Sequence, residues 1–154
     1  MSADAERNRP AGASRPDQAA GTVTDPAAAD PRLRGRTYAI PFARVWDVAL
    51  GLAHGGLGGW TVAHSDDREG VIKAQCRVLL RKERDLIVLR VGLDENAQTR
   101  VDLHCTREDG GGSARRHARV VDRFCRELDR KLGAAATHIL DPTRGAPWME
   151  GEAR

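Results

Sequence analysis

The sequence lacks several features that would narrow its function at once. No apolar run approaches the roughly 20 residues that a membrane-spanning helix needs. The first ten residues include Asp4 and Glu6 and lead into no apolar stretch, which excludes a secretory signal and favours the cytoplasm. The three cysteines are odd in number and have no Cys-x-x-Cys spacing, as expected where thiols stay reduced.

Lysine is also scarce. Of the 25 cationic residues only Lys73, Lys82 and Lys131 are lysines, a skew that we attribute to coding bias in a GC-rich genome. The net charge of +3 is therefore weak information about partners. With 40% hydrophobic and 31% charged residues, the chain has the composition of one ordinary soluble domain.

Bulky apolar residues are almost absent from the two ends of the chain. Residues 1–35 hold little beyond Val23 and Leu33 and are interrupted by prolines, so we predict a disordered N-terminal tail. Residues 133–154 are predicted to be a mostly irregular C-terminal tail, in which Ile139, Leu140 and Trp148 could dock on the domain. The compact domain is therefore expected over 36–132.

Two stretches of the domain have helical periodicity. In residues 42–54 the apolar side chains recur at helical spacing, and the glycines of 55–59 end the helix. In residues 114–132 Ala118, Val121, Cys125 and Leu128 form one apolar stripe. Ser113 is the expected N-cap of this second helix, and Gly133 ends it.

The remaining segments alternate with a period of two, which is typical of half-buried strands. A short strand is predicted at 37–40, ended by Pro41, and four more at 60–65, 71–80, 86–93 and 101–105. We place Arg81 to Asp85 in a turn, Asp94-Glu95-Asn96 in the next turn, and Leu93 in the core. Short turns favour an antiparallel meander, so the prediction is an α+β fold: strand, helix, four-stranded antiparallel meander, helix, with both helices on one face of the sheet.

The pattern resembles a known bacterial family. The segments that carry the resemblance are Ile40-Pro41-Phe42, Val45-Trp46, Gly59-Trp60-Thr61-Val62, Gly70-Val71-Ile72-Lys73-Ala74, Asp85-Leu86-Ile87-Val88-Leu89-Arg90-Val91, Thr99-Arg100-Val101-Asp102-Leu103 and Ala114-Arg115-Arg116. Together they resemble the domain-of-unknown-function family 1499, over residues 36–132. The resemblance implies a fold and no assigned reaction. The sequence departs from the family at Thr106 to Gly110, a shortened loop whose role would be altered if the loop carries the family's function.

A second resemblance is to helix-grip proteins of the START and polyketide-cyclase kind, which also open with a strand, a proline and a Val-Trp helix. It implies a carrier of a small apolar ligand beneath the last helix, lined by Trp46, Trp60 and Phe124. The chain has too few strands and is too short for this fold, so the carrier is an alternative function.

The sequence offers no catalytic constellation. Cys76, Cys105 and Cys125 lie in inward phase, and a zinc or thiolate cluster with His104 or His117 is the functional interpretation. His104 is out of phase with Cys105, however, and buried cysteine commonly acts as a small core residue. Neither a nucleophile elbow nor a phosphate loop is present. We therefore predict no catalytic residues, no cofactor and no metal site.

The second helix carries the distinctive surface. Its seven cations outnumber its three anions, and the candidate interaction residues are Arg115, Arg116, Arg119, Arg123, Arg126 and Arg130. Part of this charge is expected to pair along the helix, as Asp122–Arg126 and Arg123–Glu127. Arginine matches phosphate geometry, but no aromatic residues are interleaved for base stacking, so nucleic acid is a weaker alternative. The leading prediction is a non-enzymatic binding or protein-interaction module whose partner is an unknown protein or an acidic molecule.

Overall fold

A computed structural model describes residues 21–77, 82–110, 113–134 and 137–140. Its strands are β1 (Thr22–Val23), β2 (Arg36–Tyr38), β3 (Trp60–Asp66), β4 (Val71–Arg77), β5 (Arg84–Leu93), β6 (Thr99–Arg107) and β7 (Ile139–Leu140). Its helices are α1 (Phe42–Gly51), extended by a π-helical turn at Leu52–Gly56, and α2 (Ala114–Leu132); a short 3-10 turn covers Pro31–Leu33. None of the described helices is long and apolar enough to cross a membrane.

The strands form one antiparallel sheet in the order β3-β4-β5-β6-β2-β7, and β1 also pairs with β6. Strands β3 to β6 follow one another in space as they do in sequence, so the predicted meander is confirmed. Along its free edge β6 meets two partners: β2 pairs with residues 99–101, and β1 pairs with Cys105 and His104. The sheet is therefore completed by a segment that precedes the predicted domain.

The bounds of α2 agree with the prediction because both ends are set by local signals. The side chain of Ser113 accepts a hydrogen bond from the backbone N–H of Arg116, and Gly133 takes the left-handed conformation with φ +61°. These are the usual N-cap and C-terminal devices of a helix.

Alternate residues of β4, β5 and β6 point to one face and form the core with both helices. Ile72, Leu89 and Leu103 are buried there, as predicted. Leu93 is not: 63% of it is exposed, because it is the last residue of β5 and adjoins the turn after it, so its predicted burial is wrong. Val78 and Leu80, also predicted inward, lie outside the described residues.

The predicted disorder of residues 1–35 is wrong for 21–35, and residues 1–20 lie outside the described part. The backbone N–H of Thr24 donates to the carbonyl of Leu103 at 2.9 Å, and its Oγ1 accepts from the N–H of Leu103 at 3.0 Å. The guanidinium of Arg100 donates to the carbonyl of Arg34. This segment is held mainly by polar contacts, so its low apolar content is no guide to its order.

Part of the predicted C-terminal tail is also ordered by pairing with the sheet. Ile139 and Leu140 pair with Tyr38 and Thr37 of β2 and make β7 the edge strand on that side. Ile139 is partly buried against the core, in line with the predicted docking of these two residues. Trp148 lies outside the described residues.

Candidate functional site

The exposed side of α2 carries three arginines that we call the open arginines: Arg115, Arg119 and Arg123. All three are exposed, and no ion pair holds them within the described part of the chain. Their spacing of four residues places them on one line along the helix, about 6 Å apart in rise. The helix therefore presents three unneutralised guanidinium groups to the solvent.

The next two arginines of the helix are neutralised locally. Nε of Arg126 lies 3.0 Å from Oδ2 of Asp122, so that predicted pair is confirmed. Glu127 pairs with Arg130 at 2.8 Å, whereas the prediction paired it with Arg123. The hydrogen bond from Arg130 lowers the pKa of Glu127. Because Glu127 bonds Arg130, Arg123 has no ion-paired carboxylate among the residues that the structure describes.

Arg116 differs from the other candidate arginines in pointing partly inward. Its Nε donates at 2.9 Å to Oδ2 of Asp85, whose side chain is fully buried, while 36% of the Arg116 side chain is exposed. Asp85 is the second residue of β5 and not part of a turn, so its predicted placement is wrong. Arg116 therefore connects the start of α2 to the sheet as well as contributing charge at the surface.

A buried polar cluster continues from this pair. Nε2 of His117 lies 3.6 Å from Oδ1 of Asp85, and Nδ1 of His117 lies 3.4 Å from Oγ1 of Thr22. Neither Asp85 Oδ1 nor His117 Nε2 has a hydrogen-bond partner among the described residues. The order hydroxyl, imidazole, carboxylate is that of a catalytic triad, but all three residues are less than a tenth exposed. The contacts of the cluster hold β1 and β5 to the first turn of α2.

Two features of the sequence indicate this cluster. Asp85 is in phase with Ile87, Leu89 and Val91, so the inward alternation of β5 extends to it. His117 lies four residues before the buried Val121 and is on the same stripe of α2. A charged residue at an inward strand position indicates a buried partner, and Arg116 was the available one.

The three cysteines are buried and free. Among the described residues, no cluster of His, Cys, Asp and Glu side chains could hold a metal ion. Burial raises the pKa of both Cys105 and Cys125 to about 12, and it raises the pKa of Cys76 as well. Thiols held in the protonated form are poor nucleophiles and poor metal ligands at neutral pH. Their surroundings fit the role of small core residues.

The three aromatic residues proposed to line a pocket lie in the core. Trp46, Trp60 and Phe124 are all less than a tenth exposed. The rings of Trp60 and Phe124 stack with centroids 5.4 Å apart, and Trp46 stacks on Phe42 at 5.9 Å. These contacts explain their burial by packing between the helices and the sheet.

The shortened loop before α2 is partly strand. Thr106 and Arg107 belong to β6, and Arg107 forms ion pairs with Asp109 at 2.7 Å and with Glu83 at 3.5 Å. The turn that follows therefore begins at Glu108; residues 111 and 112 lie outside the described residues.

No family model, no curated protein and no solved structure matches this chain. The resemblances to family 1499 and to helix-grip carriers therefore stay predictions.

Proposed function

We propose that this domain is a non-enzymatic binding module that recognises an acidic protein partner through the open arginines of α2. The observation that supports the proposal is the absence of any ion pair at Arg115, Arg119 and Arg123 among the described residues, beside two arginines that are neutralised. Guanidinium groups bind carboxylates with two parallel hydrogen bonds. A row of three unneutralised groups is therefore available to a partner.

The spacing favours a carboxylate-bearing polypeptide. Three arginines at intervals of about 6 Å match acidic side chains that repeat every fourth residue on a partner helix. The helix also presents no exposed aromatic residue for base stacking. Nucleic acid is therefore the competing outcome.

The test measures the affinity of the protein for a fluorescent poly-L-glutamate of about 20 residues. R119Q/R123Q removes two open arginines, and R126Q/R130Q removes two paired arginines with the same change in net charge. At about 0.7 kcal/mol for each exposed contact, the first variant binds about tenfold more weakly and the second within about twofold of the parent.

Two results would overturn the proposal. One is equal loss in both variants, which would show that affinity follows net charge and not the open arginines. The other is tighter binding to a 24-base-pair DNA duplex, with a steep fall as salt is raised, which would identify phosphates as the ligand.

A further inference from the structure

The second face of the sheet is a candidate binding surface of its own. Both helices pack on the core side, so the outward residues of β4, β5 and β6 face away from them. Val88 and Leu86 are partly exposed at the middle of this side. Four exposed cations surround them: Lys73, Arg77, Arg84 and Arg90. We call these six residues the outer sheet face.

The register places these side chains next to one another. Val88 lies opposite Lys73 on one side and His104 on the other, and Leu86 lies opposite Gln75 and Thr106. The row through Val88 ends at Val23, which pairs with His104 and is 57% exposed. His104 thus separates the apolar side chains of Val88 and Val23 in this row. Cations lie towards both ends of the strands, and one of them, Arg90, is opposite Asp102 of β6. An apolar centre with a charged rim is the usual layout of a protein interface.

One cross-strand pair is unfavourable without a ligand. Arg77 and Arg84 lie directly opposite each other in β4 and β5, and like charges in that position destabilise a sheet. No carboxylate pairs with either residue within the described part of the chain, although Gln75 Oε1 accepts a hydrogen bond of 2.8 Å from Nη1 of Arg84. A carboxylate placed between the two guanidinium groups would remove this repulsion.

We propose that the outer sheet face binds an acidic amphipathic segment of a partner protein, whose apolar side chains cover Leu86 and Val88 and whose carboxylates meet Lys73, Arg77, Arg84 and Arg90. This site lies on the opposite side of the sheet from α2 and does not depend on the open arginines.

Charge and composition select this occupant over two others. A second copy of the chain would bring an equally cationic face, and the two would repel. Strands β4, β5 and β6 contain no Phe, Tyr or Trp, so the surface lacks the large stacking groups of single-stranded nucleic-acid platforms. Arg84 and Arg90 are six residues apart on β5, about 20 Å, which a helix of about 13 residues spans.

The test uses a 16-residue peptide with leucines at helical spacing and glutamates elsewhere, and a scrambled peptide of the same composition. Backbone amide shifts of the full chain locate each peptide, and fluorescence anisotropy gives its affinity. The patterned peptide is expected to shift β4 and β5 and to bind at least tenfold more tightly than the scrambled one. L86T/V88T keeps strand propensity and should weaken the patterned peptide about tenfold, and K73Q/R90Q should do the same without touching an apolar residue.

The control R126Q/R130Q, on the other side of the molecule, should leave this affinity unchanged. The proposal is overturned if the patterned and scrambled peptides bind equally, if their shifts fall on α2, or if K73Q/R90Q binds as the parent does. Tighter binding of a 12-residue oligothymidylate to β4 and β5 would assign the surface to nucleic acid and would overturn it as well. Poly-L-glutamate binding to α2 is measured separately, so failure at one surface is distinguishable from failure at the other.

Discussion

Arg116 and Asp85 form an ion pair of 2.9 Å between the first turn of α2 and the start of β5, and the carboxylate of Asp85 has no exposure to solvent. A buried carboxylate is tolerated when a cation and hydrogen bonds compensate it. The pair therefore ties α2 to the sheet at the end where β1 also attaches, through Thr22 and His117.

Removing Arg116 should cost more than removing both partners. Arg116→Met leaves the charge of Asp85 buried without compensation, and we expect a loss of about 2–3 kcal/mol, at the low end for a buried pair because Arg116 is about a third exposed. Asp85→Asn in the same chain should restore at least about 1 kcal/mol. Urea unfolding measures both values. Arg119→Met, on the exposed side of the same helix, is the control and should change stability by less than about 0.5 kcal/mol; equal losses in the two methionine variants would contradict the prediction.

Tyr38, the single tyrosine of the chain, should make stability fall at high pH. Burial, followed by its hydrogen bond to Asp129, raises the pKa of the Tyr38 phenol far above its usual value near 10. The stability from this group is fully present below the pKa of the unfolded chain and is lost as the pH rises above about 10, because only the unfolded phenol then releases its proton.

Absorbance at 295 nm reports the ionisation of Tyr38 directly. In the native protein the phenolate signal should appear only together with unfolding, as followed by circular dichroism. Tyr38→Phe removes the signal and should show a weaker fall in stability above pH 10. A phenolate that forms reversibly near pH 10 in the folded protein would show the prediction to be wrong.

The fold was predictable where local signals decide it. The bounds of α2 follow from Ser113, Gly133 and one apolar stripe, and the meander follows from alternation and short turns. The burial of Asp85 was not predicted, because its charge is compensated by Arg116, 31 positions away, and a charged residue beside a turn is ordinarily exposed. The order of residues 21–35 was not predicted, because backbone hydrogen bonds to β6 hold them. Backbone pairing between distant segments does not depend on amino-acid composition.

The arginine stripe of α2 was visible in the sequence, but which of its arginines are neutralised was not. Rotamers and neighbours select between Arg123 and Arg130 as the partner of Glu127, and both spacings are allowed on a helix. The outer sheet face was missed for a different reason. Its cations are on two strands, and only the register that places Arg77 opposite Arg84 brings them together.

Thr24 should anchor residues 21–35, which were predicted to belong to a disordered tail. Thr24→Val removes the Oγ1 that accepts from the Leu103 N–H and donates to Asp102 at 2.8 Å, leaving a buried N–H without a partner. We expect a loss of about 2 kcal/mol in thermal or urea unfolding. Thr61→Val, the same change at an exposed position of edge strand β3, should stay within about 0.5 kcal/mol. A loss at Thr24 no larger than at Thr61 would mean that the segment adds nothing to global stability.

Two glycines should respond oppositely to the same substitution. Gly70 precedes β4 with φ +64°, and a Cβ there would lie 2.0 Å from the carbonyl oxygen of Val91. That carbonyl belongs to the sheet, where the Val91 N–H also donates to the carbonyl of Gly70 at 2.8 Å, so neither group can retreat without breaking the pairing. Gly70→Ala should therefore cost more than about 2 kcal/mol, from backbone strain and overlap together.

Gly51 ends α1 in ordinary helical conformation, and a Cβ there would meet no atom within 4 Å. Gly51→Ala should stabilise the protein by about 0.5–1 kcal/mol, because alanine loses less backbone freedom on folding and favours the helix. Thermal unfolding of the two variants and the parent, measured together, gives the sign of each change in stability. A Gly70→Ala protein as stable as the parent would contradict the prediction, and amide exchange at Val91 would show whether its hydrogen bond to Gly70 is kept.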